Sequence, residues 1–319
     1  MTLPTSLSPF SLKKVIFFGS SDFAIPSINA LFNGLASLAL VVTAPPKQAG
    51  RGRNLKHVPV ATWAKERGLP LLETDRANDP QTLEALAAIA PDIIIVCAYG
   101  TFLGKKLLSM GKVPPINIHP SLLPRHRGPA PINWSIIQGD KECGVSIIFL
   151  EREMDAGPIL GQKSIPLKEG TPAPIIAHEL SLLSASLLEE VLKQLNDGTS
   201  KPQVQDSSRA TVNRLLEKRD GYLNFQLPAE TLASLINGVD PWPGAQALLE
   251  GKMVKFYEAT SSQGQGAPGE VLGAPCGRIT IGTGNGLLEV KKLQPEGKKS
   301  MSAPQFISGY RPRFFSSLA

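Results

Sequence analysis

The stretch DIIIVCA, residues 92–98, carries no polar residue after its leading aspartate. A strand with one wet face alternates polar and apolar side chains. A strand without alternation is covered on both faces, and that cover comes from helices reached by crossover connections. The N-terminal half supplies such helices. VIFF at residues 15–18 precedes GSSDFAIPSINAL, in which Asp22 is placed as an N-cap ahead of apolar residues at helical spacing. A second apolar run follows at 38–43, helical patterns at 58–67 and 81–89, and a short apolar segment at 116–119. Strands alternating with helices predict an α/β, Rossmann-like domain with a mostly parallel sheet.

Further on, residues 143–150 read as a strand, EREMDAGP as a tight turn and residues 159–165 as the returning strand. A long helical pattern covers 173–194. NDGTSKPQVQDSSRA then has the polar, turn-rich composition of a linker. Beyond it come a helix at 229–236 and five short apolar segments between glycines and prolines: GAQALLEG, KMVKFYEA, GEVLGA, GRITIGTGNG and LLEVKKLQ. That spacing predicts a smaller OB-like β-barrel domain. The expected layout is a flexible tail at 1–14, a chemistry-bearing domain at 15–196, a linker at 197–209 and a second domain at 210–319.

Composition removes whole classes of function. A hydrophobic content of 42% with 19% charged residues belongs to a globular chain. The net charge of +6 attracts polyanions without the dense basic stripes of a dedicated nucleic-acid binder. Three cysteines, Cys97, Cys143 and Cys276, are too few and too scattered for a disulfide framework or a CxxC metal pair. They point to a reducing, cytoplasmic setting, with Cys97 and Cys143 as small core residues. No apolar stretch is long enough to cross a bilayer. The first turn, GSSDFA, lacks the GxGxxG spacing of a dinucleotide site, and there is no GxSxG elbow, Walker loop or HExxH helix. No metal is expected.

What remains is one dense polar loop, HPSLLPRHRGPAP, whose prolines forbid regular structure. It follows a strand end, where doubly wound sheets bind ligands. Asn117 and His119 are two apart on that strand, so their side chains point to the same face. An amide donor beside a histidine is suited to an oxyanion formed on a formyl or acyl carbon. Asp155, in a separate turn, could orient the histidine or accept a proton. A turn-forming aspartate before Ala-Gly accounts for it equally well.

The string NIHPSLLPRHRGPAPINWSI, followed by DAGPIL, resembles the signature of the folate-dependent formyltransferases. FFGSSDFA, AGRGRNLKHVPV, VCAYG, PWPGA and LQPEGKKSMS are similar to the members of that family that formylate methionyl initiator tRNA. The resemblance implies Asn117, His119 and Asp155 in the catalytic positions and 10-formyltetrahydrofolate as co-substrate. It further implies Ser121, Leu122, Leu123 and Pro124 as the stretch that contacts the folate, with Val96, Cys97, Ala98, Tyr99 and Gly100 lining the pterin pocket. The loop with Arg51, Arg53 and Lys56 resembles the insertion that grips the acceptor end of tRNA, where phosphates call for positive charge. Lys291, Lys292, Lys298 and Lys299, with Arg209, Arg214, Lys218 and Arg219, could track its backbone or merely serve solubility. A monomer is the expected state.

Two regions depart from the family pattern. TVNRLLEKRDGYLNF replaces a segment that usually holds a tyrosine and several lysines, and Asn237 stands where an arginine is common. Phe225 and Trp242 are expected in the core. A formyl-folate hydrolase or a sugar-amine formyltransferase would share the loop, but needs neither AGRGR nor a basic second domain. A non-enzymatic tRNA-binding module would leave Asn117, His119 and Asp155 without a purpose.

Overall fold

The computed structural model describes residues 12–49 and 54–318. By the density of its internal packing the chain forms two units. One comprises the residues up to Gly128 with Gly144–Ser164 and His178–Val212; the other comprises Pro129–Cys143, Ile165–Ala177 and the residues from Asn213 onward.

The first unit is organised by a seven-stranded sheet. In chain order its strands are β1 (Lys14–Gly19), β2 (Ser37–Thr43), β5 (Leu71–Glu73), β6 (Ile93–Cys97), β7 (Ile116–His119), β8 (Glu142–Phe149) and β9 (Ile159–Pro166). Between β2 and β5 lies a hairpin of β3 (Lys47–Ala49) and β4 (Asn54–Lys56). The helices along this length of chain are α1 (Ile25–Ala30), α2 (Pro59–Glu66), α3 (Pro80–Ala88), α4 (Lys105–Leu108), α5 (Pro131–Ile137) and α6 (Ala173–Asn196). The sheet order is β5-β2-β1-β6-β7-β8-β9. Strands β5, β2, β1, β6 and β7 are parallel, and β8 runs antiparallel to β7.

The unalternating run at 92–98 becomes β6, buried at all its positions. Each large aliphatic side chain there contributes about 1.5–3 kcal/mol by leaving water. With β2 and β5 to one side of β1 and β6 and β7 to the other, the order reverses between β1 and β6. That reversal opens a crevice at their carboxyl ends.

Asp22 is not an N-cap. It opens a single 3-10 turn, Asp22–Ala24, and α1 begins after it with Pro26 in its first turn. A proline there needs no capping carboxylate, since its fixed φ already suits the helix and it lacks one of the unpaired N–H groups. The polar stretch after α6 is held by backbone pairing: Ile159 and Gln203 exchange hydrogen bonds of 2.8 Å in both directions.

The second unit contains α7 (Ala229–Gly238), α8 (Ala303–Tyr310) and an antiparallel sheet. The strands are β10 (Ala245–Leu249), β11 (Lys252–Ser262), β12 (Val271–Gly273), β13 (Ile279–Gly282), β14 (Leu287–Pro295) and β15 (Met301–Ser302). They run in the order β10-β11-β14-β13-β12, with β15 beside β14. The five segments expected as strands are β10 to β14. The two edges of this sheet are joined by one extended piece of chain. Ser316 pairs with Leu248 of β10, while Phe314 pairs with Glu270 just before β12. Phe315 between them is buried against Phe225, Phe256 and Phe306.

Phe225 is a core residue at 2% exposure, but Trp242 is 54% exposed and is not. Trp242 lies between Pro241 and Pro243, whose fixed backbones hold this turn and leave the ring outside the sheet. Asn237, buried in α7, donates through Nδ2 to the carbonyls of Ala233 (2.8 Å) and Ala259 (2.7 Å), and its Oδ1 accepts the N–H of Ala259 (3.2 Å). It ties α7 to β11.

Candidate active site

Strand alternation brings Asn117 and His119, at the carboxyl end of β7, to one face and to one partner. Asn117 Nδ2 donates to Asp155 Oδ1 at 3.2 Å, and His119 Nδ1 lies 3.6 Å from Asp155 Oδ2. The Gly128 N–H donates to the same Oδ2 at 2.8 Å. His119 and Asp155 side chains are only 7% and 11% exposed, so their interactions are only partly screened by water.

The ring of His119 is fixed from behind. Its Nε2–H donates to the carbonyl of His126 at 2.9 Å. A neutral His119 therefore presents an Nδ1 lone pair toward Asp155, and an imidazolium presents an N–H there. Asn117 spends one amide hydrogen on Asp155 and keeps the other, since no further hydrogen bond engages it among the described residues. The group thus offers one free amide donor beside a carboxylate and a ring nitrogen that can exchange protons.

Three residues around the site hold a left-handed backbone. Ala98, His126 and Asp155 all have left-handed φ values, of 50°, 60° and 51°. Non-glycine residues hold that conformation only where their surroundings impose it, and such positions gather at functional sites. Gly157 closes the Asp155 turn, and a Cβ at that position would run into the carbonyl oxygen of Phe149.

Residues 121–124 sit on a firm support. Ser146 of β8 donates through Oγ to the Ser121 carbonyl (2.6 Å) and accepts the Leu123 N–H (3.1 Å). Gln162 donates to Ser146 Oγ and to the Leu123 carbonyl, both at 2.8 Å. Leu122 and Pro124 are partly open, whereas Ser121 and Leu123 are buried. In the 96–100 stretch only Ala98 and Gly100 are exposed. Val96 and Tyr99 belong to the core beneath β6, and burial pushes the Cys97 thiol far above its usual range, leaving it inert as a nucleophile. This stretch can offer a ligand its backbone, Ala98 and Gly100. Nothing would fill the space at a Gly100 Cβ within 4 Å.

Of the basic residues, Arg51 and Arg53 lie outside the described residues; Lys56 is exposed at the end of β4. Lys298 and Lys299 are exposed in the second unit. Lys291 and Lys292 share the carboxylate of Glu258, and Lys292, hydrogen-bonded to it, holds that carboxyl below its usual range. Arg214 is engaged by Asp220, and Arg219 by Glu217 at 2.8 Å. Lys291, Lys292, Arg214 and Arg219 are thus each held by a carboxylate of their own unit.

The sequence reading missed the residues that hold the site together: Arg127, Ser146, Gln162, Gln205 and Thr211. None lies in a periodic pattern that marks it. One signal is available, a polar residue at a strand position that faces the core, as at Ser146 in β8.

The formyl transferase family signature spans residues 13–192, and that of the formyl transferase C-terminal domain spans 215–311. The chain belongs to the formyl transferase family. A methionyl-tRNA formyltransferase of Desulfotalea psychrophila is 41% identical over 298 residues, covering 93% of this chain and 92% of that one. One from Thermodesulfovibrio yellowstonii is 38% identical, covering 92% of this chain and 95% of its own. Among solved structures, the sugar 3N-formyl transferase WlaRD superposes with a TM-score of 0.67 at 13% identity, over 91% of this chain and all of that one. HypX from Aquifex aeolicus, in complex with tetrahydrofolic acid, superposes with a TM-score of 0.60 at 20% identity, over 93% of this chain and 47% of its own. These two share the fold.

Proposed function

We propose that this chain transfers the formyl group of 10-formyltetrahydrofolate to the α-amine of methionine esterified to initiator tRNA, in the cytoplasm where translation starts. The observation that carries the reading is the convergence of Asn117 and His119 on the Asp155 carboxylate at the carboxyl end of β7. Relatives named for this reaction match along nearly their whole length.

The folate co-substrate supplies the formyl carbon. The donors fit it: a free amide hydrogen on Asn117 for the formyl oxygen, and open space beside Ala98 and Gly100 for the carrier. Asn117 is placed to donate to the oxygen that gathers negative charge as the amine attacks. Asp155 and His119 Nδ1, 3.6 Å apart, provide two adjacent acceptors for the proton the amine must lose. His119, once charged, is held between the Asp155 carboxylate and the His126 carbonyl, so the N–H that faces the formyl oxygen is the free one of Asn117. The Gly128 amide and the His126 carbonyl keep both groups in place, so little reorganisation accompanies the transfer.

The positive charges of Arg51, Arg53 and Lys56 are assigned to the acceptor end of the tRNA. Lys298 and Lys299 are assigned to its phosphates. The test is to incubate the chain with formyl-labelled 10-formyltetrahydrofolate and, separately, methionyl initiator tRNA, an amino-sugar nucleotide or water alone. Label is expected on the methionyl-tRNA. Label on the sugar, or free formate formed equally with and without tRNA, would refute the reading.

A further inference from the structure

The polar stretch expected as a linker sends one side chain into the interior of the first unit. Gln205 is 7% exposed, although its neighbour Val204 is 80% exposed. The orientation of its amide is dictated by its partners, because a guanidinium only donates and a carbonyl only accepts. Gln205 Oε1 therefore takes Arg127 Nε (3.1 Å) and Nη2 (2.9 Å). Its Nε2 gives one hydrogen to the carbonyl of Asp155 (2.7 Å) and the other to that of Gly157 (2.8 Å).

Arg127 is itself buried, and its remaining side-chain partner is Glu153 at 3.3 Å. The next residue is Gly128, whose N–H holds the Asp155 carboxylate. The same stretch grips the loop's backbone further along. Thr211 accepts the His126 N–H on Oγ1 (2.8 Å) and the Arg127 N–H on its carbonyl (2.9 Å).

We propose that Gln205 is a positioning residue for the transfer. From one side it clamps the backbone of Asp155 in its left-handed conformation. From the other, through Arg127, it sets the amide that holds the Asp155 carboxylate. This inference rests on the functional reading above. It makes residues 203–211 a strap around the reacting groups, and it predicts that changes in this strap act on turnover through Asp155.

The experiment is steady-state formylation of methionyl-tRNA by the full chain in four forms: wild type, Gln205→Glu, Asp155→Asn and the double variant. Gln205→Glu keeps an acceptor for Arg127 and removes both donors. Its kcat is expected to fall at least about 10-fold while KM for 10-formyltetrahydrofolate stays within about 2-fold, because a small misplacement of a reacting group costs rate rather than binding. In the Asp155→Asn background the same change is expected to cost less than about 2-fold, because the group it positions has already been disabled.

A kcat within about 2-fold of wild type, or an equal loss in both backgrounds, overturns the proposal, the second result marking a merely structural glutamine. Where Gln205→Glu does not fold, Gln205→Met keeps the side-chain length and goes through the same cycle, in which the same outcomes support or overturn the role of Gln205. A wild-type chain that leaves methionyl-tRNA unformylated overturns the functional reading and this inference with it. An active wild type indifferent to Gln205 overturns this inference alone.

Discussion

Asn117 and Asn237 make a useful pair. Asn237 is fully buried and Asn117 partly so, and their hydrogen bonds are spent differently. Asn237 uses both amide hydrogens and its carbonyl on the backbone of α7 and β11. Asn117 uses one hydrogen, on another side chain that is itself shared with His119 and Gly128. A closed set of bonds holds structure in place, and an open one leaves a donor for a reacting atom. Under the proposed function the same residue type serves packing in one unit and chemistry in the other, and the accounting of donors separates them.

The comparison is broken most directly at Asn117. Asn117→Ala is expected to lower kcat about 100- to 1,000-fold, the usual loss for one oxyanion donor, with thermal unfolding nearly unchanged. A loss of folate affinity by the same factor would move Asn117 from reacting group to binding group. His119→Ala should behave alike. Asn237→Leu should do the reverse: it strands the N–H and carbonyl of Ala259 and costs about 2–3 kcal/mol in denaturant unfolding, with kcat intact. An unstable Asn117 variant paired with a stable but inactive Asn237 variant would overturn the assignment.

Smaller effects sharpen it. Replacing Arg51 and Lys56 by alanine is expected to raise KM for methionyl-tRNA about 10-fold at moderate salt without changing folate binding. The salt slope should fall by about one unit for each phosphate no longer held. The smallest effect concerns Asp92, a carboxylate with a closed set of bonds. Burial acts to raise its pKa. The hydrogen bonds from Lys112 and from the N–H groups of Lys14 and Lys13 outweigh burial and hold it below the usual carboxylate range. A lowered pKa gives stability that is present above the unfolded value and is lost as pH falls through the folded one. Asp92→Asn should therefore cost about 1 kcal/mol at neutral pH, with the difference from wild type starting to shrink only as pH falls below the ordinary carboxylate value of ~4 and disappearing once the folded wild-type carboxyl protonates. Unfolding curves of both proteins at several pH values measure it.

Much of the sheet in the first unit was legible because burial on both faces writes itself as unbroken apolar runs, as at β6. The short β5 was not, since its three residues are each only half buried and carry no pattern. The pairing of Asn117 with His119 followed from strand alternation. The approach of Asp155 did not, because it depends on where a turn 38 residues away returns, which no local spacing encodes. Gln205 is hidden in a linker-like composition for a related reason: hydropathy averages over neighbours, and a single inward glutamine among exposed residues leaves the average unchanged. Trp242 failed in the opposite sense. Its size argues for a core position, and the flanking prolines decide otherwise.

The way the second unit's sheet is closed has a consequence in time. The strands of the first unit's sheet are all present once residue 166 has been made. In the second unit, β10 and the approach to β12 receive their outer partner only from residues 314–316. While the ribosome still encloses those residues, both edges stand open and Phe225, Phe256 and Phe306 lack the ring of Phe315. This unit closes only once residues 314–316 have emerged, and until then it exposes two strand edges to any neighbouring chain that can pair with them.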